Sequence, residues 1–140
     1  MKKVLTFGTF DVLHLGHEHY LKEAKKHGSM LYVVVARDKT VYEVKGKKPL
    51  NDEAKRLDNI KSLKYVDGAY LGYEDDKYRI IEEINPDVIV FGYDQNAFTK
   101  NIKDILSKRG LNIEMIRLPN GLKPDVYKSS KLRLGRINNF

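Results

Sequence analysis

The segment from Lys2 to His27 limits the possible folds more than any other part of the chain. Val4, Leu5 and Phe7 make a short apolar strand and Gly8 ends it; after a loop, Tyr20, Leu21 and Ala24 recur at the spacing of one helix face. A helix that starts just past a strand end turns its free backbone N–H groups, and the positive end of its dipole, towards whatever occupies the loop. That arrangement favours an anion. His14 and His17 are three residues apart, so both imidazoles lie near one face if the helix begins at or just before His14. Gly16 between them lets a ligand approach the backbone closely. Each ring offers an N–H donor in either charge state, which suits a phosphate whose charge rises during attack. Taken alone, the two residues read more blandly, His14 as a surface loop residue and His17 as a helix cap.

The rest of the chain repeats the alternation of strand and helix. Met30 to Ala36 is a near-continuous apolar run rich in valine, the pattern of a buried parallel strand, and Arg37-Asp38 follows at its C-terminal end. From Lys39 to Leu50 no period is evident, and Gly46 and Pro49 make this a loop. Asn51 or Asp52 caps a helix from Glu53 to about Leu63, with Ala54, Leu57, Ile60 and Leu63 as its apolar stripe and Arg56 off it. Tyr65 to Leu71 reads as a third strand. A short helix through Tyr78, Ile81 and Ile84 ends at Asn85-Pro86, and Asp87 to Gly92 is the fourth strand. A helix from about Thr99 to Lys108, a fifth strand from Asn112 to Leu118 and a C-terminal helix opened by Ser129-Ser130 complete the chain. The expectation is an α/β fold, one Rossmann-like domain over residues 1–140. It has a five-stranded parallel sheet of order 3-2-1-4-5, helices on both faces and a C-terminal helix. In that order the ligand crevice lies between Gly8 and Gly92, and Asp94 and Gln95 sit across from His14 and His17.

Composition narrows the function. The net charge is +7, from 26 Lys and Arg against 19 Asp and Glu, which favours an anionic ligand. Basic and acidic residues are mixed along the chain except at Lys45-Gly46-Lys47-Lys48 and from Lys128 to Arg136, and two local clusters suit a polyphosphate better than a duplex. No zinc-finger spacing or RNA-binding aromatic signature supports nucleic acid as a partner. Without cysteine the chain has no disulfide, no thiolate metal site and no cysteine nucleophile, which is compatible with a reducing cytoplasm. Met1-Lys2-Lys3 runs into a short strand with no signal-like segment, and no apolar run approaches a membrane span. A soluble, cytoplasmic, membrane-free protein is expected.

Gly8-Thr9-Phe10-Asp11-Val12-Leu13-His14-Leu15-Gly16-His17 resembles the first signature of the HxGH nucleotidyltransferases. That superfamily includes glycerol-3-phosphate and phosphoethanolamine cytidylyltransferases, adenylyltransferases of cofactor synthesis and archaeal-type FAD synthases. The motif stands directly after the first strand, the context it requires. Gly92-Tyr93-Asp94-Gln95 resembles the strand-four signature in its archaeal FAD synthase form, where cytidylyltransferases more often carry Gly-Asp-Asp-Trp. Tyr127-Lys128-Ser129-Ser130-Lys131-Leu132-Arg133 resembles the second superfamily signature, which holds the β- and γ-phosphates, although Lys128 stands where a hydroxyl residue is usual.

The resemblance implies a set of roles. His14 and His17 donate to the α-phosphate region, while Lys45 or Lys47, Ser129, Ser130 and Arg133 hold the pyrophosphate. Thr9, Phe10, Asp94 and Tyr127 join the histidines and serines around the nucleotide. Asp11, Asp38 and Arg56 face the acceptor substrate. Two of these have plainer readings, Asp38 as a turn residue and Arg56 as a helix-surface partner of Asp52 or Glu53. Mg²⁺ is carried chiefly by the nucleotide and water, with no protein metal site. The implied reaction transfers the AMP moiety of ATP to FMN, giving FAD and pyrophosphate. A cytidylyltransferase acting with CTP on glycerol 3-phosphate or another phosphorylated alcohol is the alternative, and a non-catalytic nucleotide- or RNA-binding module is a third reading. Small superfamily members are often dimers, which leaves a homodimer open.

Overall fold

The structure, a computed structural model, describes residues 2–92 and 102–118. In chain order the elements are β1 (Lys3–Gly8), α1 (Leu15–Lys25), β2 (Met30–Val35), α2 (Asp38–Lys45), α3 (Glu53–Lys61), β3 (Gly68–Leu71), α4 (Arg79–Ile84), β4 (Val88–Phe91), α5 (Ile102–Lys108) and β5 (Glu114–Arg117). The five strands form one parallel sheet in the order β3-β2-β1-β4-β5, as the alternating pattern predicts. The expected C-terminal helix lies outside the described residues.

Strand periodicity divides the core in two. Val4, Leu31, Val33, Val35, Ala69, Val88 and Val90 face Leu21 and Ala24 of α1 and Ile60 of α3. Leu5, Phe7, Val34, Ile89 and Phe91 face Ile80 and Ile81 of α4 and Ile102 and Leu106 of α5. Because both faces are covered, the central strands have no polar side, which is why their sequence reads as continuous apolar runs.

The sheet opens where its order reverses. β1 pairs with β2 along its whole length, Lys3 with Met30 through Gly8 with Val35, but its register with β4 runs only through Val4–Val88 and Leu5–Ile89. Past that point the C-terminal ends of β1 and β4 flank the crevice that such a topology provides for a ligand.

Three local expectations need correction. Residues 39–50 are not all loop, since Asp38–Lys45 is helical. This helix buries only Val41 and so carries no apolar stripe to betray it; Gly46, with φ at 79°, terminates it. The stripe of α3 is also different: Ala54 is exposed, while Arg56 is fully buried beside Ile60. β3 begins at Gly68 rather than Tyr65, because Lys64 and Tyr65 form a turn before the chain joins the sheet.

Candidate active site

Helix α1 starts at the crevice with His14 as its N-cap in extended conformation. The two histidines cap the helix reciprocally: His14 Nδ1 accepts the Gly16 N–H at 3.0 Å, and His17 Nδ1 accepts the His14 N–H at 3.4 Å. Imidazoles thus fill the places of Ser and Glu in a capping box. With Nδ1 accepting, the proton of each neutral ring sits on Nε2. The rings stack at 4.0 Å between centroids. His17 is buried, and desolvation, followed by the nearby charges of His14 and Lys45, pushes its pKa down to about 3, against a hydrogen bond with the Val12 backbone. It is therefore neutral at physiological pH.

Phe10 shapes the wall behind these rings. Its backbone has φ at 52°, rare for an aromatic residue, and its buried ring meets His17 edge-on at 5.4 Å between centroids. The ring lies over Gly8, where a Cβ would stand 2.4 Å from Phe10 Cζ. Gly8 is thus a requirement of the site as well as a strand stop. Thr9 is buried, and its hydroxyl has no hydrogen-bond partner among the described residues, which leaves it for a ligand or water at the loop.

Arg56 is the hub beneath the loop. Its Nη1 donates to the carbonyls of Thr9 at 2.9 Å and Ala36 at 2.8 Å, Nε donates to the Asn51 carbonyl at 3.0 Å, and Nη2 meets the Asp38 carboxylate at 2.7 Å. A fully buried guanidinium with this many partners holds the loop after β1, the end of β2 and the start of α3 together. Its bonds all end within the chain, and its carboxylate partner is Asp38 rather than Asp52 or Glu53. Asp11 behaves similarly: its carboxylate accepts the N–H groups of Leu50 at 2.7 Å and Asn51 at 2.8 Å, and the Asn51 amide returns a bond to the Asp11 carbonyl at 2.6 Å. Each carboxylate oxygen accepts one backbone N–H, so Asp11 ties the loop after β1 to the start of α3. Asp38, whose side chain is partly exposed, remains at the crevice mouth beside Arg56.

Of the two candidate lysines, Lys45 lies close enough to depress the His17 pKa, whereas Lys47 is exposed. Asp94, Tyr127, Ser129, Ser130 and Arg133 lie outside the described residues. Sequence reading missed three participants. The sequence marks Asn51 only as a cap, whereas its amide bonds the Asp11 carbonyl; Glu53 binds both the Asp38 N–H at 2.8 Å and Arg37 at 3.2 Å; and Tyr20, part of an apolar stripe by its spacing, bonds backbone carbonyls through its hydroxyl. A carboxylate or amide flanking a helix start offers a signal for the first two, but none in the sequence distinguishes the third. No group of three or more His, Asp or Glu among the described residues is placed to hold a metal ion, and no described helix is long and apolar enough to cross a membrane.

A parallel sheet with a switch point beside a helix start bearing two stacked histidines, with a lysine nearby, is an arrangement suited to the phosphates of a nucleotide. Its relatives make the chain a nucleotidyltransferase of the α/β type. The comparisons with known proteins carry this further. Residues 5–135 match the cytidylyltransferase-like family model, and the chain belongs to that family. It is 44% identical over 139 residues to the FAD synthase of Thermococcus sibiricus, covering 99% of this chain and 94% of that one. It is 49% identical over 136 residues to the FAD synthase of Methanobrevibacter smithii, covering 94% and 88%. Among solved structures, a crystal structure described as the lipopolysaccharide core biosynthesis protein from Thermoplasma volcanium superposes with a TM-score of 0.81 at 45% identity, over 86% of this chain and 98% of that chain. The pantoate-β-alanine ligase of Francisella tularensis shares the fold, with a TM-score of 0.58 at 15% identity over 87% of this chain and 63% of its own.

Proposed function

We infer that this protein transfers the AMP moiety of ATP to FMN, forming FAD and pyrophosphate. The observation that carries the acceptor is the set of full-length relatives named FAD synthase. The geometry supports the chemistry. The FMN phosphate attacks the α-phosphate of ATP in line, and pyrophosphate leaves from the opposite side. His14 and His17 at the start of α1 donate to the α-phosphate, where negative charge grows. Lys45 neutralises the leaving pyrophosphate, and the resemblance gives Ser129, Ser130 and Arg133 the same task. Asp94 and Tyr127 border the nucleotide, and Asp38 the acceptor. Arg56 and Asp11 fix the loops, so that the donors are in place before substrate arrives. Mg²⁺ enters with ATP as part of the substrate.

Purified protein incubated with Mg²⁺, ATP and FMN should form FAD, identified by chromatography against a standard, with pyrophosphate in equal amount. CTP should replace ATP poorly, and glycerol 3-phosphate should replace FMN poorly. Pyrophosphate formed from CTP and a phosphorylated alcohol, without FAD from ATP and FMN, overturns the assignment.

A further inference from the structure

We propose that the Tyr20 hydroxyl is a positioning element for nucleotidyl transfer, pinning helix α1 to the seam between β1 and β4 so that His14 and His17 stand at the working height above the crevice. Tyr20 lies three residues after His17 on α1, and its hydroxyl approaches the Val90 carbonyl at 3.1 Å and the Phe7 carbonyl at 3.4 Å. These carbonyls belong to the two strands that part at the switch point, immediately beyond the last recorded pair, Leu5–Ile89. One phenol proton serves two acceptors, so the hydroxyl is shared across the seam rather than bound to one strand.

The need for such a pin follows from how α1 is otherwise seated. Leu21 and Ala24 bury its lower turns against the sheet, but apolar contact is non-directional and resists small slides of a helix along its axis only weakly. A hydrogen bond to fixed backbone atoms is directional. It acts one turn below the histidines, on the element that carries them. Phe7 precedes Gly8 and Val90 precedes Phe91-Gly92, so the same hydroxyl also references both walls of the crevice. A shift of about 1 Å in catalytic donors can cost up to about 10² in rate, while the ground-state hold on a polyphosphate with several other contacts changes little. The Tyr20 hydroxyl binds backbone carbonyls rather than reacting atoms. Its effect passes through α1.

Tyr20→Phe keeps the ring and removes the hydroxyl, and Tyr32→Phe is the control. The Tyr32 hydroxyl contacts Met30 Sδ at 3.7 Å, away from the seam. Tyr20→Phe should lower kcat by roughly 5- to 20-fold while KM for ATP stays within about twofold, a split that loss of folded protein does not produce. Hydrogen exchange measured by mass spectrometry should quicken in the first turn of α1, at the His17 and Glu18 amides bonded to the His14 carbonyl, and stay unchanged in β2 and α4. Tyr32→Phe should match the parent in both readouts. Unchanged kcat in Tyr20→Phe, exchange that rises equally throughout the protein, or a kcat loss without faster exchange in α1 overturns the proposal. Because exchange is read without substrate, an error in the choice of FMN as acceptor would leave that arm intact and would be recognised separately.

Discussion

Replacing Gly8 by alanine tests whether the floor of the site is set by contact with Phe10. The new Cβ would stand 2.4 Å from Phe10 Cζ and 2.5 Å from Cε2, distances that cannot be kept. The ring cannot simply swing away, because it is buried, lies edge-on to His17 and hangs from a backbone already at a φ of 52°. Overpacking of this kind costs about 1–3 kcal/mol. At roughly 3–5 °C per kcal/mol for a chain of this size, Gly8→Ala should melt about 3–15 °C lower by circular dichroism. It should also lose turnover as Phe10 pushes on His17. Phe10→Leu removes the ring atoms that the methyl group meets, so in that background the added cost of Gly8→Ala should fall to within about 0.5 kcal/mol. An equal cost in both backgrounds would refute the steric account and place the requirement for glycine elsewhere.

Other expectations follow from the same geometry. His17→Ala should lower kcat by about 10²–10³ with little change in the KM for ATP, as loss of a donor used in the transition state does; near-normal turnover would remove His17 from the mechanism. Since burial holds the His17 pKa at about 3 in the folded state, well below its ordinary value, the unfolded chain binds the extra proton first. The stability contributed by the neutral ring is complete above about pH 6.5 and is lost as pH falls towards 3, at up to about 1.4 kcal/mol per unit; urea titrations at several pH values read the slope, which should be shallower between about pH 4.5 and 6.5 in His17→Gln. Lys45→Ala should weaken ATP binding measured by calorimetry, whereas Lys47→Ala should leave it within about twofold, because Lys45 is the lysine near His17 and a solvated charge contributes little. Arg56→Met strands the carbonyls of Thr9 and Ala36, at about 1–3 kcal/mol each, so it should cost about 2–6 kcal/mol in denaturant unfolding; a loss under about 1 kcal/mol would show that the hub is dispensable.

The parts of the molecule legible in the sequence are those where one residue type does one job. The valine run of β2, the glycine after β1 and the His-x-Gly-His spacing each have few alternative readings, and the alternation of strand and helix around them is that of a Rossmann-like sheet, whose order the structure has. What escaped notice depends on partners far away in the chain. Arg56 looks like a surface residue until the carbonyls of Thr9 and Ala36 converge on it from 47 and 20 residues away. Ala54, apolar and correctly spaced, faces solvent because Arg56 takes the buried position. Helix α2 has one buried residue, Val41, and its start is tied by Glu53 from the next helix, so no local pattern marks it. Asp11 carries the signature of a ligand contact, yet its oxygens are taken by backbone amides about 40 residues on.

The Arg56 hub also bears on how the sequence can drift. Three of its four bonds end on carbonyl oxygens, at Thr9, Ala36 and Asn51, and every amino acid supplies a carbonyl. As far as the hub is concerned, the side chains at those positions are unconstrained; only Arg56 and its carboxylate partner Asp38 are held by chemical identity. Neighbouring positions around the mouth can therefore change to suit a different acceptor while the phosphate loop keeps its place. In a saturation library selected for folding alone, position 56 should remain arginine, while position 36 should be limited by size rather than by polarity.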